Sequence, residues 1–295
     1  MTSGDSYSVD GVIRNSDYKR ASLRVNVDVD ISKRFRMGAR LNPSYDFRNL
    51  GGLLEGTPNE GPLIGFAYAA SPIERPYLPD GTVDPVISSA PENWIFSSPV
   101  NRFAGIIDKQ NNFNLLASTF LEIDLYKGLK FRTNAGLNTS MLSSRYWRPW
   151  WVGGRLATSP GGSLLREPGM SEARASRSAL TNWLIENYIT YNATISSDHA
   201  IEILLGQMAQ KQDYDIVSAS ATRFSDDRIP YVNAGLKGDF RTGDAGSDAF
   251  RYAIVSYFAR VNYDYKNRYY LNATLRKDGS SRFSPDARYG DFPSV

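Results

Sequence analysis

The feature of this sequence that most restricts its fold is a set of paired segments in which apolar and polar residues alternate. Residues 23–31 place leucine, valine or isoleucine at every second position, with arginine, asparagine and aspartate between them. A period of two is that of a β-strand with one apolar and one polar face. The alternation resumes at Phe35 after three linking residues, so the two segments are predicted to form an antiparallel hairpin.

The same design recurs along the chain, with connections of very unequal length. Three more pairs follow, at about 115–125 with 129–138, 182–196 with 200–217, and 251–265 with 269–277. Links of two or three residues join the members of a pair, whereas long polar segments lie between pairs, at roughly 47–112, 147–180 and 225–250. The sequence therefore predicts an all-β, antiparallel fold of about eight strands. Short periplasmic turns and long external loops are typical of transmembrane β-barrels of the bacterial outer membrane.

The composition agrees with a barrel wall and excludes several other classes. Hydrophobic residues make up 41% of the 295 residues, but no stretch approaches the ~18 apolar residues of a transmembrane helix. Barrel strands leave no such stretch because they alternate. Cysteine is absent, which excludes disulfides and thiolate metal sites. The net charge of +3 is mild and both signs are spread along the chain, so we expect no nucleic-acid partner.

The sequence offers little for catalysis or for a cofactor. His199 is the single histidine and lies beside a predicted turn, where an exposed turn residue is the simpler interpretation. One histidine without cysteine disfavours a zinc site. Several aspartates near the third long segment could supply oxygen ligands to calcium, but they lack EF-hand spacing. They are Asp226, Asp227, Asp239, Asp244 and Asp248. We expect a solvated loop there, no metal, no cofactor and no enzymatic activity.

The polar faces of the first two predicted hairpins are the candidate functional surface. In a barrel they would face the lumen and contact a plug or a passing solute, whereas in a soluble sandwich they would point to external water. The residues predicted to face the lumen are Arg24, Asn26, Asp28, Asp30, Arg36, Arg40, Lys130, Arg132 and Asn134.

Aromatic residues gather at the ends of the predicted strands. Tyr263, Tyr265, Tyr269 and Tyr270 bracket one tight turn, and residues 146–151 contain a tyrosine and three tryptophans at the far end of the second hairpin. Rings of this kind favour the membrane interface, so belts are the favoured interpretation. The other interpretation of the clustering is that the rings cap the core of a soluble β-sandwich. For Tyr146, Trp147, Trp150 and Trp151, stacking on sugar faces is the alternative.

Residues 257–295 resemble the SusC/RagA-like class of TonB-dependent outer-membrane transporters of Bacteroidetes. The most specific part of the resemblance is a motif formed by Asp278, Gly279, Ser280, Ser281, Arg282, Phe283, Arg288, Tyr289, Gly290, Phe292, Pro293 and Ser294. Lys277 departs from the class, which more often has arginine before this motif.

The resemblance implies a plugged barrel of about 22 strands. It implies import of oligosaccharides or other bulky nutrients, such as peptides, through the outer membrane and in contact with its lipid. It also implies two partners: a SusD-like surface lipoprotein over the external loops, and the TonB complex, which would supply energy through the plug.

No segment of the chain has the pattern of a signal peptide, a plug domain or a closing C-terminal strand that ends in an aromatic residue. We therefore expect residues 1–295 to be a partial barrel domain. Two alternatives stay open. One is a complete small outer-membrane barrel with a structural or adhesive role. The other is a soluble β-rich carbohydrate-binding module, which would bury its apolar faces between two layers.

Overall fold

The structure is a computed structural model that describes residues 1–51, 75–83, 86–88, 95–97, 99–150, 152, 171–196, 198–235 and 245–295. No helix in these ranges is long and apolar enough to span a membrane. The described chain consists mainly of extended strands that pair with their neighbours in sequence, as the alternating pattern predicts.

The described ranges contain twelve β-strands and little helix. The strands are β1 (Thr2–Asp10), β2 (Asp17–Ser32), β3 (Phe35–Asn49), β4 (Val86–Ser88), β5 (Ile95–Ser97), β6 (Ile107–Tyr126), β7 (Leu129–Arg148), β8 (Glu172–Ile195), β9 (His199–Thr222), β10 (Ala245–Tyr265), β11 (Tyr269–Ser280) and β12 (Tyr289–Ser294). Helix α1 (Pro99–Gly105) precedes β6, and short 3₁₀ turns lie at Val232–Ala234 and Pro285–Ala287. Ten strands form one antiparallel sheet in the order β1, β2, β3, β6, β7, β8, β9, β10, β11, β12, while β4 pairs with β5.

The sheet has ten strands where the sequence predicts about eight. The two additional strands, β1 and β12, lie at its edges and lack an apolar alternation. β1 is rich in serine, glycine and aspartate, and its side chains are exposed throughout. It is held by its backbone ladder, which runs in register with β2 from Thr2↔Val25 to Asp10↔Asp17. Hydrophobic patterning cannot detect a strand of this kind.

The strands are also longer than predicted. β8 and β9 have 24 residues each, and β8 begins at Glu172, well inside the segment that the sequence assigns to a loop. The reason is that the outer ends alternate mainly alanine with polar residues, and Arg177 interrupts the apolar row of β8, so the hydrophobic signal is weak while the backbone pairing continues. The predicted long connections are real but shorter than expected.

Four tight turns join the strand pairs at one end of the sheet, and we call this the turn end; the opposite side is the loop end. Gly128 has a φ of +79°, and a Cβ there would collide with the carbonyl oxygen of Asn192. Lys266 and Asn267 both adopt left-handed backbone, at φ of 56° and 53°. Consecutive left-handed residues are typical of hairpin turns whose twist matches that of the strands. These turns fix the register of the sheet.

The register sorts the side chains onto two faces. One side of the sheet, which we call the apolar face, carries a row across the strands that includes Val27, Ala39, Ala135, Ile185 and Val255. We call the opposite side the polar face. Large side chains on the apolar face are widely exposed, with Leu205 at 57%. The described residues form no second sheet over this face, and the buried apolar clusters lie at the loop end. A soluble sandwich would instead bury it against another layer.

Candidate functional site

The polar face brings all nine predicted lumen-facing residues onto one side of the sheet. Asn26 lies opposite Arg40 and Asp30 lies opposite Arg36 in the β2–β3 register, and Arg24 follows by alternation. On the next hairpin, Lys130, Arg132 and Asn134 lie opposite Asp124, Glu122 and Phe120. The β3–β6 register joins the two groups through Arg36 and Glu122. That this face borders a lumen stays a prediction.

Glu122 is the centre of a charged network near the turn end. Its carboxylate accepts a hydrogen bond from Arg132 at 3.2 Å and lies 3.7 Å from Arg36 and 3.6 Å from Lys130. Its side chain is 16% exposed, so three cations surround one largely shielded carboxylate. Sequence analysis overlooked Glu122, although it occupies the same alternation as its predicted partners.

The network continues across two more strand boundaries. Asp30 accepts a hydrogen bond from Arg36 at 3.0 Å, and Asp124 pairs with Lys130 at 3.4 Å. Arg132 Nε donates to Asn134 Oδ1 at 3.0 Å, and Asn134 Nδ2 donates to Glu186 Oε2 at 3.4 Å. The charges therefore alternate in sign along the surface, and this stretch of the face carries little net charge.

Aromatic rings on the polar face lie over glycines of the neighbouring strand. Phe120 is 8% exposed, and a Cβ on its cross-strand partner Gly38 would collide with its ring. The guanidinium carbons of Arg132 and Arg40 lie 4.3 and 5.7 Å from the Phe120 ring centroid, within cation–π range. Pairs of glycine and an aromatic residue stabilise sheets because the ring covers the bare backbone.

The same arrangement recurs on β9 and β10. A Cβ at Gly206 would collide with the ring of its partner Phe258, and the Arg276 guanidinium lies 6.0 Å from that ring. Two aromatic rings on the polar face, Phe120 and Phe258, thus each cover a glycine of the neighbouring strand and lie close to an arginine guanidinium.

A second polar cluster lies nearer the loop end, around Asp46. This carboxylate is 4% exposed and accepts hydrogen bonds from the Tyr18 hydroxyl at 2.7 Å and from Asn114 Nδ2 at 3.1 Å. Asn112 continues the ladder, donating to Asn114 at 3.2 Å and accepting from Ser140 at 3.0 Å. A buried carboxylate is tolerated when its lone pairs are satisfied, and the cluster ties together four strands. No sequence motif signals it, because its members are far apart in the chain.

The aromatic residues at the end of β7 do not occupy either predicted environment. Trp147 is 3% exposed and packs edge-on against Phe224, with ring centroids 4.7 Å apart. Tyr146 is 7% exposed and clusters with Ile106 and Val152. Neither ring can serve as an interface belt or an open sugar platform. The reason is that residues after β9 pack onto Trp147, which sequence periodicity does not reveal.

The other aromatic and acidic predictions have mixed outcomes. Trp150 is half-buried, whereas Trp151, Asp239 and Asp244 lie outside the described residues. Tyr269 and Tyr270 are exposed at the turn end, so a belt there stays a prediction. His199 is not an exposed turn residue: it begins β9, is half-buried and bonds through Nδ1 to the Tyr263 hydroxyl at 2.6 Å.

Asp226 is engaged by an arginine rather than left open for a metal. Arg228 Nη2 and Nε approach its two oxygens at 2.6 and 2.9 Å, and these hydrogen bonds lower the pKa of Asp226 to about 2. Asp227 accepts a hydrogen bond from Ser171, and Asp248 accepts one from the Ala249 amide at 2.8 Å. Within the described ranges, no group of three or more such side chains could hold a metal ion.

The C-terminal motif forms the hairpin that closes this side of the sheet. Ser281 both donates its backbone N–H to the Ala253 carbonyl at 2.9 Å and accepts, at Oγ, the Ala253 N–H at 2.8 Å. Arg282 lies 3.9 Å above the ring of Tyr252. Gly279 lies beneath the ring of Tyr289, where a Cβ would collide. These contacts give the motif a structural role in joining β10, β11 and β12.

A single antiparallel sheet with an exposed apolar face and a charged polar face defines a segment of barrel wall. Its topology also agrees with solved structures. The chain superimposes on the RagAB peptide transporter with a TM-score of 0.76 at 20% identity, covering 94% of this chain and 30% of that one. The predicted fold class, an all-β antiparallel barrel segment, is confirmed.

Sequence comparisons are more specific about the class. The chain is 30% identical over 295 residues to TonB-dependent receptor P3 of Formosa agariphila, covering 99% of this chain and 28% of the relative. It is 57% identical over 47 residues to TonB-dependent receptor SusC of Bacteroides thetaiotaomicron, which is 16% of this chain and 5% of that protein. No protein-family model matches the chain. The resemblance to SusC/RagA-like TonB-dependent transporters is confirmed, and the chain spans less than a third of the length of these relatives.

Proposed function

We propose that this chain is part of the wall of a TonB-dependent outer-membrane transporter that imports oligosaccharides or other bulky nutrients. The observation that carries the proposal is the division of the sheet into an exposed apolar face and a charged polar face. In a membrane the first would contact lipid and the second would border the lumen. The names of the relatives, which are receptors and transporters rather than enzymes, support the same function.

The apolar face supports a membrane position in a second way. We consider the strands of the main sheet from β2 to β11 and count residues from the turn end. On each of these strands, the apolar face carries no charged side chain within at least the first seven residues. A tilted strand crosses the hydrocarbon region with about 9–11 residues. Asn187 and Gln207 are the amides within this band, and they satisfy each other through a hydrogen bond of 3.3 Å. The turn-end half of the sheet therefore has the character of a lipid-facing wall.

The nine residues Arg24, Asn26, Asp28, Asp30, Arg36, Arg40, Lys130, Arg132 and Asn134 would then face the lumen. Five of the nine are cations and two are carboxylates, and Glu122, Asp124 and Glu186 on the same face bring the charges into balance. A balanced surface suits neutral, polar solutes better than strongly charged ones. The long loops would meet a SusD-like surface lipoprotein, and the TonB complex would act through a plug inside the barrel. Both partners are inferred from the resemblance to SusC/RagA-like transporters.

Single-cysteine labelling tests the orientation, because the chain has no cysteine of its own. We expect Asn26→Cys and Asn134→Cys, on the polar face, to react with a water-soluble maleimide in the membrane-inserted protein. Val27→Cys and Ala135→Cys, their neighbours on the apolar face, should resist that reagent and be quenched by a lipid-borne probe.

The reverse labelling pattern, or equal labelling of both faces, would contradict a membrane wall. It would favour the soluble carbohydrate-binding module instead. The comparison is internally matched, since each pair of positions is adjacent in one strand and lies at nearly the same height.

A further inference from the structure

The apolar face ends in cations. On seven strands, the first charged side chain met on this face from the turn end is a lysine or an arginine. These residues, which we call the cation collar, are Lys19, Lys109, Arg145, Arg177, Lys211, Arg251 and Lys277. β3 carries no charge on this face, and the edge strands β1 and β12 carry Asp10 and Asp291 there.

Four members of the collar have a carboxylate partner. Lys211 and Arg251 share Asp213, which Lys211 approaches to 3.0 Å. The outer pairs are longer, at 3.5 Å for Lys277 with Asp291 and 3.8 Å for Lys19 with Asp17. These cations are at least partly neutralised within the sheet.

The other three cations lie side by side, and none of them has a carboxylate partner in the part of the chain that the structure describes. Lys109 and Arg145 are directly opposite in the β6–β7 register, and Arg177 is diagonal to Arg145, opposite Ser143. Among the described residues, no ion pair joins these three side chains to an acid. Like charges placed directly opposite on a sheet repel each other. The arrangement therefore favours an external anion between them.

One of the three side chains is held in place by a contact from beyond the sheet. The Arg145 guanidinium lies 5.3 Å from the ring of Tyr231 and donates to its hydroxyl at 3.3 Å. Tyr231 belongs to the segment that packs onto Trp147 at the loop end. This contact directs Arg145 along the outer surface and leaves donors for a ligand, since a guanidinium has five N–H groups.

The height of these cations matches a lipid headgroup. They lie 16 to 18 residues from the tight turns of their strands. With a rise of about 3.3 Å per residue and a tilt of about 40°, this is about 40–45 Å along the membrane normal. A bilayer with its headgroups is about 40–45 Å thick. The three cations would therefore lie at the outer headgroup layer.

We propose that Lys109, Arg145 and Arg177 bind the phosphate groups of an anionic lipid headgroup in the outer leaflet. The proposal rests on the membrane position argued above. Charge complementarity selects a phosphorylated lipid, because arginine and lysine together offer several donors to phosphate oxygens and the neighbouring apolar face would hold the acyl chains.

Binding of diphosphoryl lipid A to the protein purified from outer membranes in detergent tests the proposal. The variant Lys109→Gln, Arg145→Gln, Arg177→Gln should lose affinity by on the order of 100-fold, because each charge near a membrane surface contributes severalfold. The control variant Lys33→Gln, Arg34→Gln, Lys127→Gln removes three cations at the turn end and should bind as the native protein does. The native affinity should also fall as ionic strength rises.

Three outcomes would overturn the proposal: unchanged affinity in the first variant, equal affinity for dephosphorylated lipid A, or equal affinity for inorganic phosphate alone. The variant Lys109→Arg, Arg145→Lys, Arg177→Lys keeps the charges and should retain binding, which separates lost charge from lost folding. Membrane fractionation of the same samples distinguishes the two proposals. A protein that inserts but binds no lipid A contradicts the lipid site alone, and one that does not insert contradicts the transporter as well.

Discussion

At the scale of single residues, the polar face is organised around shielded carboxylates rather than around the cations that dominate its sequence. Glu122 pairs with three cations, and Asp46 accepts hydrogen bonds from two neutral donors and lies 3.7 Å from Arg20. Each carboxylate is far less exposed than the cations beside it, and its loss would leave those cations without their shielded partner. Their effects on stability should differ from those of ordinary surface ion pairs.

Replacing Glu122 with glutamine should lower the free energy of unfolding by about 1–3 kcal/mol. The reason is that Arg36, Lys130 and Arg132 would lose their common partner and repel one another. Urea unfolding of the inserted protein, followed by tryptophan fluorescence, measures the change. Asp124→Asn is the matched control, since Asp124 is more exposed and pairs with Lys130 alone, and it should cost under about 1 kcal/mol. Equal effects of the two variants would contradict the central role of Glu122.

The Asp226 carboxyl should titrate well below an ordinary aspartate. Its pKa of about 2 results from hydrogen bonds donated by Arg228, so the pair stabilises the folded loop at pH values above the normal aspartate range. That contribution is lost as the pH falls from about 4 towards 2. Carbon-13 NMR of the carboxyl should show the shift, and Arg228→Gln should return the pKa to about 3.9. An unchanged pKa in that variant would exclude the arginine as the cause.

At the scale of strands, pairs of a glycine and an aromatic ring stabilise the contact between neighbouring strands. Gly38 and Gly136 lie on the same face of nearby strands but differ in what surrounds them. A Cβ at Gly38 would collide with the Asp28 carboxylate and with the Phe120 ring, whereas one at Gly136 would meet Leu184 at an ordinary 3.9 Å. The pair therefore separates the effect of these two neighbours from that of glycine itself.

Gly38→Ala should destabilise the protein by about 1–3 kcal/mol, because the Asp28 carboxylate would have to move and Phe120 would have to leave its place between two arginines. Gly136→Ala should be neutral or slightly stabilising, since alanine is less costly than glycine within a strand. Urea midpoints of both variants measure the difference. If Gly38→Ala were tolerated as well as Gly136→Ala, the ring would not be fixed on the polar face.

Sequence analysis predicted the central hairpins well, because Leu23 to Ile31 and Leu115 to Leu125 alternate cleanly and tight turns delimit them. It missed β1, the first ten residues of β8 and the last five of β9, where serine, alanine and charged residues give little hydrophobic contrast and the pairing depends on backbone hydrogen bonds. It identified Arg36, Lys130 and Arg132 but not Glu122 or Asp46, whose importance arises from contacts across strands. The burial of Trp147 depends on Phe224, a residue 77 positions away, and no local pattern encodes it.

At the scale of the whole molecule, the described ranges form one main sheet with no second sheet over its apolar face. That face is exposed over its turn-end half and is covered at the loop end by Phe224, Val232 and Ala234, whereas the polar face is cross-linked by ion pairs and amide ladders. A sheet with these two surfaces is stable where hydrocarbon meets one side and water the other. The fold and the proposed transport function therefore depend on the same asymmetry.

The length of β8 and β9 has a consequence for whatever meets the long loops. Each strand continues for five residues towards the loop end beyond Arg177 and its cross-strand partner Val217. In the proposed orientation, these paired ends would extend above the headgroup layer as a rigid edge. A protein that binds this edge would need to order little of the chain beneath it, and the entropic cost of docking would be correspondingly small.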